Sequence, residues 1–411
     1  MFFSFVNSVS GYSPVTGSDG KPIAWLGLDM TDSEVRASLL RATGISVTIA
    51  ALSILLSLLV SFFFGTLFTR GIVHLDRIVE RFGRKDFDVR AEVKSRDEVG
   101  RLGSSFNQMA QTIQLYSRQL QELLDAYARF VPQDFLNFLE KGSILDVKLG
   151  DQVRREMTVL FSDIRSFSTL SEAMTPEQNF NFLNSYLKRI GPEIRNHGGF
   201  IDKYVGDAIM ALFPENPRNA IEAAIAMMRS VRIYNEDRAK SGYQPIGIGI
   251  GINMGWLMLG TLGEDKRMDG TVISDAVNLS SRLEGLTKYY GASILTTDTT
   301  LRRVDPAGGF KARFIDRVQV KGRSTAVQIV EIMDGDSDGQ GDLKLATKAG
   351  FIEALELYHS RDFEGALAAF RRLIGQDPDD RVLSIYSERC ESYIRSPVAE
   401  DWKGVEVFDF K

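Results

Sequence analysis

The chain has 411 residues, 44% hydrophobic and 25% charged, enough for roughly two to three domains and at least one sizeable core. Its 49 Lys and Arg against 54 Asp and Glu leave a formal charge of −5, which excludes a nucleic-acid binder working by bulk positive charge and a mainly disordered chain. A single cysteine, Cys390, excludes an internal disulfide, and three scattered histidines (His74, His197, His359) leave little for a zinc site.

In chain order, GYSPVTGSDGKPIAWLGLDMT reads as a hairpin with a Gly/Asp turn. It resembles the closing hairpin of extracytoplasmic Cache-type sensor domains. Residues 1–41 are too few for a ligand pocket, which implies a vestigial sensor or a chain that starts late. Between Arg41 and Arg70 lie 28 residues without a formal charge. As a helix they reach about 42 Å at about 1.5 Å per residue, more than the roughly 30 Å of a hydrocarbon core. Residues 42–69 are therefore expected to span a membrane, because soluble core helices rarely run this long without charge. A cleaved signal peptide fits worse, since no small-residue cleavage site ends the run. Arg70, Arg77, Arg81, Arg84 and Lys85 follow the span closely, against Arg36 and Arg41 before it, so the bulk of the chain is expected on the cytoplasmic side of a cell inner membrane.

Ile72, Leu75, Val79 and Phe82 then recur at the spacing of one helix face, followed by the polar connector GRKDFDVRAEVKSRDE. Leu102, Phe106, Met109, Ile113, Tyr116, Leu120, Leu123, Tyr127 and Phe130 alternate by four and three without a slip, which predicts a parallel coiled-coil dimer. Two helices joined by an extended connector, the second carrying DEVGRLGSSFNQM, resemble a HAMP domain, with Glu98, Gly100, Phe106 and Asn107 matching its motif. The proline usual at the start of the first HAMP helix is absent. The expected boundaries are 70–122 for HAMP and 123–150 for a coiled-coil and transducer element, which Pro132 breaks.

From Arg154 the pattern changes. MTVLFSDI reads as a strand, Thr175 and Pro176 open a helix, and FIDKYV and AIMALF flank a Gly206–Asp207 turn. A helix from about Pro217, strands IGIGIGINMG and LMLGTLG, the helix SDAVNLSSRLEGLTKYY and strands FIDRVQV and AVQIVEI complete residues 151–333. This order predicts an α+β, ferredoxin-like antiparallel sandwich. Asp163 and Asp207 fall at the same expected sheet edge, and paired carboxylates without His or Cys suit Mg²⁺ or Mn²⁺ and phosphoryl chemistry. Phe167 and Ser168, at the start of RSFSTLSE, offer free backbone N–H groups to phosphates. Taken singly, a strand-end Asp is more often a cap and Gly-Asp only turn chemistry.

Together VLFSDIRSFS and DKYVGDAIMALF resemble the two metal-binding blocks of class III nucleotidyl cyclases, over residues 154–332. The resemblance implies that Asp163 and Asp207, with the backbone carbonyl of Ile164, bind two Mg²⁺ or Mn²⁺ ions per active site. TVISDAVNLSSRLEG matches the family helix whose ribose-orienting Asn and transition-state Arg fall on Asn278 and Arg282, and VQVKGR places Lys321 at the triphosphate-binding lysine. Lys203 and Thr271 occupy the base-recognising positions, where a donor suits N1 of adenine and not the N1–H of guanine. The implied reaction is that of an adenylate cyclase, from ATP to 3′,5′-cyclic AMP and pyrophosphate, in a homodimer through HAMP, coiled coil and catalytic domains, with no nucleic-acid partner. Trp256 stands where some members have a phosphate-binding Arg, which keeps a nucleotide-binding module without turnover as a rival; a guanylate cyclase is the third reading. ARFVPQDFLNFLEKG resembles the transducer element that precedes the catalytic domain in membrane cyclases.

After a Gly/Asp linker, DGDSDGQGDL, residues 343–411 form a helical tail resembling one tetratricopeptide repeat, with Ala366, Phe370 and Pro378 in place. One repeat cannot bury its own face, so it is expected to pack on the cyclase-like domain or a partner.

Overall fold

The computed structural model describes residues 8–92, 96–128, 133–264, 266–320 and 325–408. Phe130 and Pro132, read above as the end of the coil, lie outside them, and so does Lys321. The chain divides into two compact units, 1–125 and 126–411.

In the first unit, β1 (Ser8–Thr16) and β2 (Pro22–Thr31) pair antiparallel. The turn between them uses Gly20 at φ +75°, a conformation that costs glycine little. A 52-residue helix, α1 (Asp32–Gly83), follows. It is long and apolar enough to cross a membrane, and none of its most apolar window is buried within the protein. The hydroxyls of Thr43, Thr48, Ser53 and Thr69 each donate to the carbonyl four residues earlier, so these polar groups are satisfied without water. The expected short first helix of the relay is thus the end of one continuous helix, because nothing between Thr69 and Phe82 breaks it. α2 (Glu98–Tyr127) begins after Asp97, whose carboxylate accepts from the N–H groups of Val99 and Gly100. Leu75, Ile78, Val89, Ala91, Phe106 and Ala110 form the local core. Asn107 fastens the connector to α2, accepting from the Ala91 N–H at 2.7 Å and donating to its carbonyl at 2.9 Å. Leu102, Met109, Tyr116, Leu120, Leu123 and Tyr127 remain exposed along α2.

The second unit starts with α3 (Gln133–Phe138) and continues β3 (Gln152–Ile164), α4 (Phe167–Glu172), α5 (Pro176–Asn196), β4 (Phe200–Val205), β5 (Ala208–Phe213), α6 (Arg218–Lys240), β6 (Ile248–Glu264), β7 (Arg267–Ile273), α7 (Asp275–Tyr290), β8 (Ile294–Thr297), α8 (Asp298–Val304), β9 (Ala312–Val320) and β10 (Val327–Ile332). The tail adds α9 (Asp338–His359), α10 (Phe363–Ile374), α11 (Arg381–Arg395) and β11 (Glu406–Phe408). The sheet runs β11-β9-β10-β8-β6-β3-β5-β4, with β7 also on β6. It is antiparallel except for β6 with β8 and β11 with β9.

Residues alternate between the two faces of β3 and β6. Leu160, Ile164, Ile248, Ile250 and Ile252 meet Tyr186, Ile190, Ile221 and Ala224 of α5 and α6. On the opposite face the glycines of β6 lie against α7: a Cβ at Gly251 would come within 2.2 Å of the Glu284 nitrogen and the Ser280 carbonyl oxygen, and one at Gly249 within 2.1 Å of Thr287 Oγ1. The two strands expected around Trp256 are one, because the ladder with β3 continues unbroken from Ile164 and Ile248 to Gln152 and Gly260.

The tail packs on this same unit. Phe351, Tyr358, Phe370 and Tyr386 share a core with Leu283, Tyr290, Ile315 and Val318. The Gly/Asp stretch read as a linker is held firmly: Arg232 donates to the carbonyl of Gly335, Lys344 donates to Asp336 at 2.8 Å, and the helix α9 already starts at Asp338. Composition suggested a loose segment, but Asp336 pairs with Lys344 and Asp342 with Lys311.

Candidate active site

Asp163 is the penultimate residue of β3, on the face turned toward α7, and Asp207 follows the left-handed Gly206 (φ +67°) in the β4–β5 turn. The fold brings the two carboxyls together. Burial, with Asp207 beside it and Glu284 near, pushes the Asp163 carboxyl up to about 8. Oδ2 of Asp207 is buried without a hydrogen-bond partner among the described residues. Close-set carboxylates with an orphaned oxygen form a hard donor set that a divalent cation would relieve. No group of three or more His, Cys, Asp or Glu side chains suited to a metal is gathered among the described residues, so further ligands must come from main-chain oxygen, water or phosphate. The Ile164 carbonyl lies next in sequence; its own N–H donates to Asp163 Oδ1 at 3.0 Å.

Beyond it, Arg165 donates to the Ala292 carbonyl at 2.6 Å and Ser166 takes a left-handed φ of +55° before α4. α4 is six residues long with no side-chain cap at Ser166. The partly buried Phe167 ring stacks on Phe182, while Ser168 is exposed.

Sequence reasoning missed Glu284. It sits on α7 where the glycine face of β6 lets the helix approach, and burial pushes its carboxyl up to about 7, against the pull of Arg165 and with a further push from Asp207. The available signal was the alternation Gly247, Gly249, Gly251, which leaves one strand face bare for a helix.

A second constellation gathers elsewhere. Lys203 Nζ donates to Thr271 Oγ1 at 3.4 Å and pairs with Asp202 at 3.5 Å, next to an irregularity in the β4–β5 register. The strand β7 that carries Thr271 was not anticipated, because RMDGTVI alternates poorly. Asn278 is exposed on α7, and Arg282, half-buried, lines a small cavity with Glu284, Val320 and Phe408. Ser274 caps α7, accepting from the Ala276 N–H. The two pairs stay apart: Asp163 stands opposite Gly249 near the start of β6, Thr271 opposite Gly260 toward its end. Among the described residues, no hydrogen bond or ion pair links Asp163 and Asp207 to Lys203 and Thr271. At Trp256 the missing arginine has a neighbour, since the Arg154 guanidinium lies 4.6 Å from the indole centroid.

Residues 150–332 match the adenylate and guanylate cyclase catalytic domain, and residues 63–115 match the HAMP domain. An adenylate cyclase of Anabaena cylindrica is 36% identical over 78% of this chain and 65% of that protein. The terminal-differentiation-specific adenylate cyclase of Dictyostelium discoideum is 35% identical over 74% of this chain. This chain thus spans under two thirds of the first relative and 15% of the second. The crystal structure of the adenylyl cyclase CyaB from P. aeruginosa is 34% identical, with a TM-score of 0.40, covering 44% of this chain and 95% of that one. The chain belongs to the class III adenylate and guanylate cyclase family, its catalytic domain at residues 150–332 preceded by a HAMP domain.

Proposed function

We propose that the protein is a membrane-anchored adenylate cyclase that converts ATP to 3′,5′-cyclic AMP and pyrophosphate at sites shared by two copies of the chain. The observation that carries the choice of ATP is the Lys203–Thr271 contact at 3.4 Å, which sets an obligate donor beside a hydroxyl that can accept. Lys203 donates to adenine N1 and Thr271 accepts from the exocyclic amine. Guanine presents N1–H and a carbonyl instead, and leaves the lysine facing another donor.

Asp163, Asp207 and the Ile164 carbonyl fit two Mg²⁺ or Mn²⁺ ions, which when bound neutralise the triphosphate and lower the pKa of the 3′-hydroxyl. The 3′-oxygen attacks the α-phosphorus in line and pyrophosphate leaves. Asn278 orients the ribose, Lys321 binds the triphosphate, Arg282 stabilises charge developing on the reacting phosphate, and the backbone at Phe167 and Ser168 offers N–H donors to phosphate oxygens. The separation of Asp163 from Thr271 along β6 supports a site with carboxylates from one copy and Lys203, Thr271, Asn278, Arg282 and Lys321 from the other. The exposed apolar stripe of α2 supports pairing of two copies. The charge asymmetry around the apolar part of α1 supports a single span with the catalytic domain on the cytoplasmic side.

The test is cyclic AMP formation from Mn²⁺ and ATP by the full chain in nanodiscs. Activity is expected in the wild type and a loss of about a hundredfold or more in Asp207→Ala. No product, or equal product from the variant, contradicts the proposal.

A further inference from the structure

Part of the contact between the tail and the catalytic domain is a joint where the end of α7, the end of β9 and β11 come together. β11 lies parallel to β9, with Glu406 opposite Val318 and Phe408 opposite Val320, the residue that precedes Lys321. The buried Phe408 ring stands edge-on to Tyr289 at 5.1 Å and to Tyr290 at 6.2 Å, both in the last turn of α7. With Val320, it closes a cavity of about 120 Å³ whose other walls include Arg282 and Glu284.

Buried polar bonds stiffen the joint from behind. Arg389 of α11 and the Tyr290 hydroxyl both donate to Asp316 of β9, at 2.6 and 2.7 Å. Tyr386 donates to the Ile315 carbonyl at 2.8 Å, and Tyr393 to Glu406 at 2.9 Å. Arg313 of β9 makes two bonds to Asp380 and one to Glu331, with all three side chains buried. A helical cap that served stability alone needs only the α9–α11 core; it does not need a further strand added beside β9 at the sheet edge with its Phe408 ring against α7.

We infer that β11 is a working part of the site, with Phe408 as a positioning residue. It holds Arg282 on α7, the cation assigned above to the reacting phosphate, at a fixed spacing from the end of β9. The inference rests on the adenylate cyclase reading. Because Arg282 acts on charge that appears in the transition state, slackening the joint lowers kcat more than it raises KM.

The experiment compares the full-length wild type, Phe408→Ala and Phe408→Leu in nanodiscs, by ATP kinetics and by amide hydrogen exchange. Phe408→Ala is expected to lower kcat about tenfold or more with KM for ATP changed less than about threefold, as a misplacement remote from the reacting atoms does. Phe408→Leu, which refills most of the space, is expected to restore most of kcat. Exchange over residues 281–290 is expected to rise about tenfold in Phe408→Ala while α5 keeps its protection. An unchanged kcat, or a fall that only tracks loss of folded protein, overturns the inference. Unchanged exchange in α7 overturns it whatever the activity. A wild type without product removes the cyclase reading instead, and the exchange data still decide whether β11 sets the position of α7.

Discussion

Asp163 and Lys203 show two ways in which a charged side chain becomes informative. Burial and the neighbouring Asp207 push the Asp163 carboxyl above the usual carboxylate range. Lys203 is half-buried between Asp202 and Thr271, where its donors are aimed and few in number. Exchanging that donor for an acceptor should exchange the base. Lys203→Glu is expected to move the ATP-to-GTP preference by about a hundredfold toward GTP, measured as the ratio of kcat/KM values; a preference left unmoved argues that Lys203 does not read the base. These residues were legible before any coordinates, because short motifs carried them. Glu284 was not. A single acidic residue on an amphipathic helix has no spacing of its own, and only the close approach of α7 to Gly249 and Gly251 brings it beside the aspartates.

At the scale of elements, α7 is the part on which most depends, since it carries Asn278, Arg282 and Glu284 and touches β6, β9 and β11. Its seat is the glycine face of β6. Gly251→Ala would put a methyl group 2.2 Å from main-chain atoms of Ser280 and Glu284, which cannot rotate away, so a loss of about 1–3 kcal/mol or more is expected in denaturant unfolding of the full chain. A wild-type midpoint would mean that α7 is seated less closely. The tail has a different anchor. Arg313→Met removes the partner of the fully buried Asp380 and leaves Glu331 with Lys344 alone, and about 3–5 kcal/mol should be lost. Stability equal to the wild type would show that the buried ion pairs are replaceable by packing at this place. Helices with strong caps and stripes, such as α5 behind its Thr175 capping box, were readable from residue pattern. β7 and β8 were not: β7 alternates poorly and β8 is a four-residue strand, and each is fixed by pairing to β6. The Gly/Asp segment before α9 misled for a related reason, since its polar groups are satisfied by residues far away in sequence: Ser293 donates to the Asp336 carboxylate and Arg232 to the main-chain carbonyls of Gly335 and Asp336.

For the whole molecule, the proposed function makes one signalling chain of a helix long and apolar enough to cross a membrane, a HAMP domain and a cyclase domain. α1 runs without interruption from the apolar span into the HAMP core, so a displacement of the span has a rigid path as far as Phe82. One residue inserted after Gln119 rotates the seam of α2 by about 100° relative to what precedes it. Cyclic AMP output is expected to change several-fold, and unchanged output would argue against a rigid relay. The order of these parts could be read from hydropathy and heptads, because each has its own period. That one copy completes the site of another was implied only by the family resemblance, and the separation of Asp163 from Thr271 along β6 supports it. That separation is the central claim, and coexpression of two inactive full-length variants tests it most directly. Asp207→Ala lacks a carboxylate and Arg282→Ala lacks the transition-state cation. If each site takes the first from one chain and the second from the other, mixed dimers keep one intact site, and about a quarter of wild-type cyclic AMP formation should return. Coexpressed variants that stay as inactive as either alone would contradict a site shared between two chains.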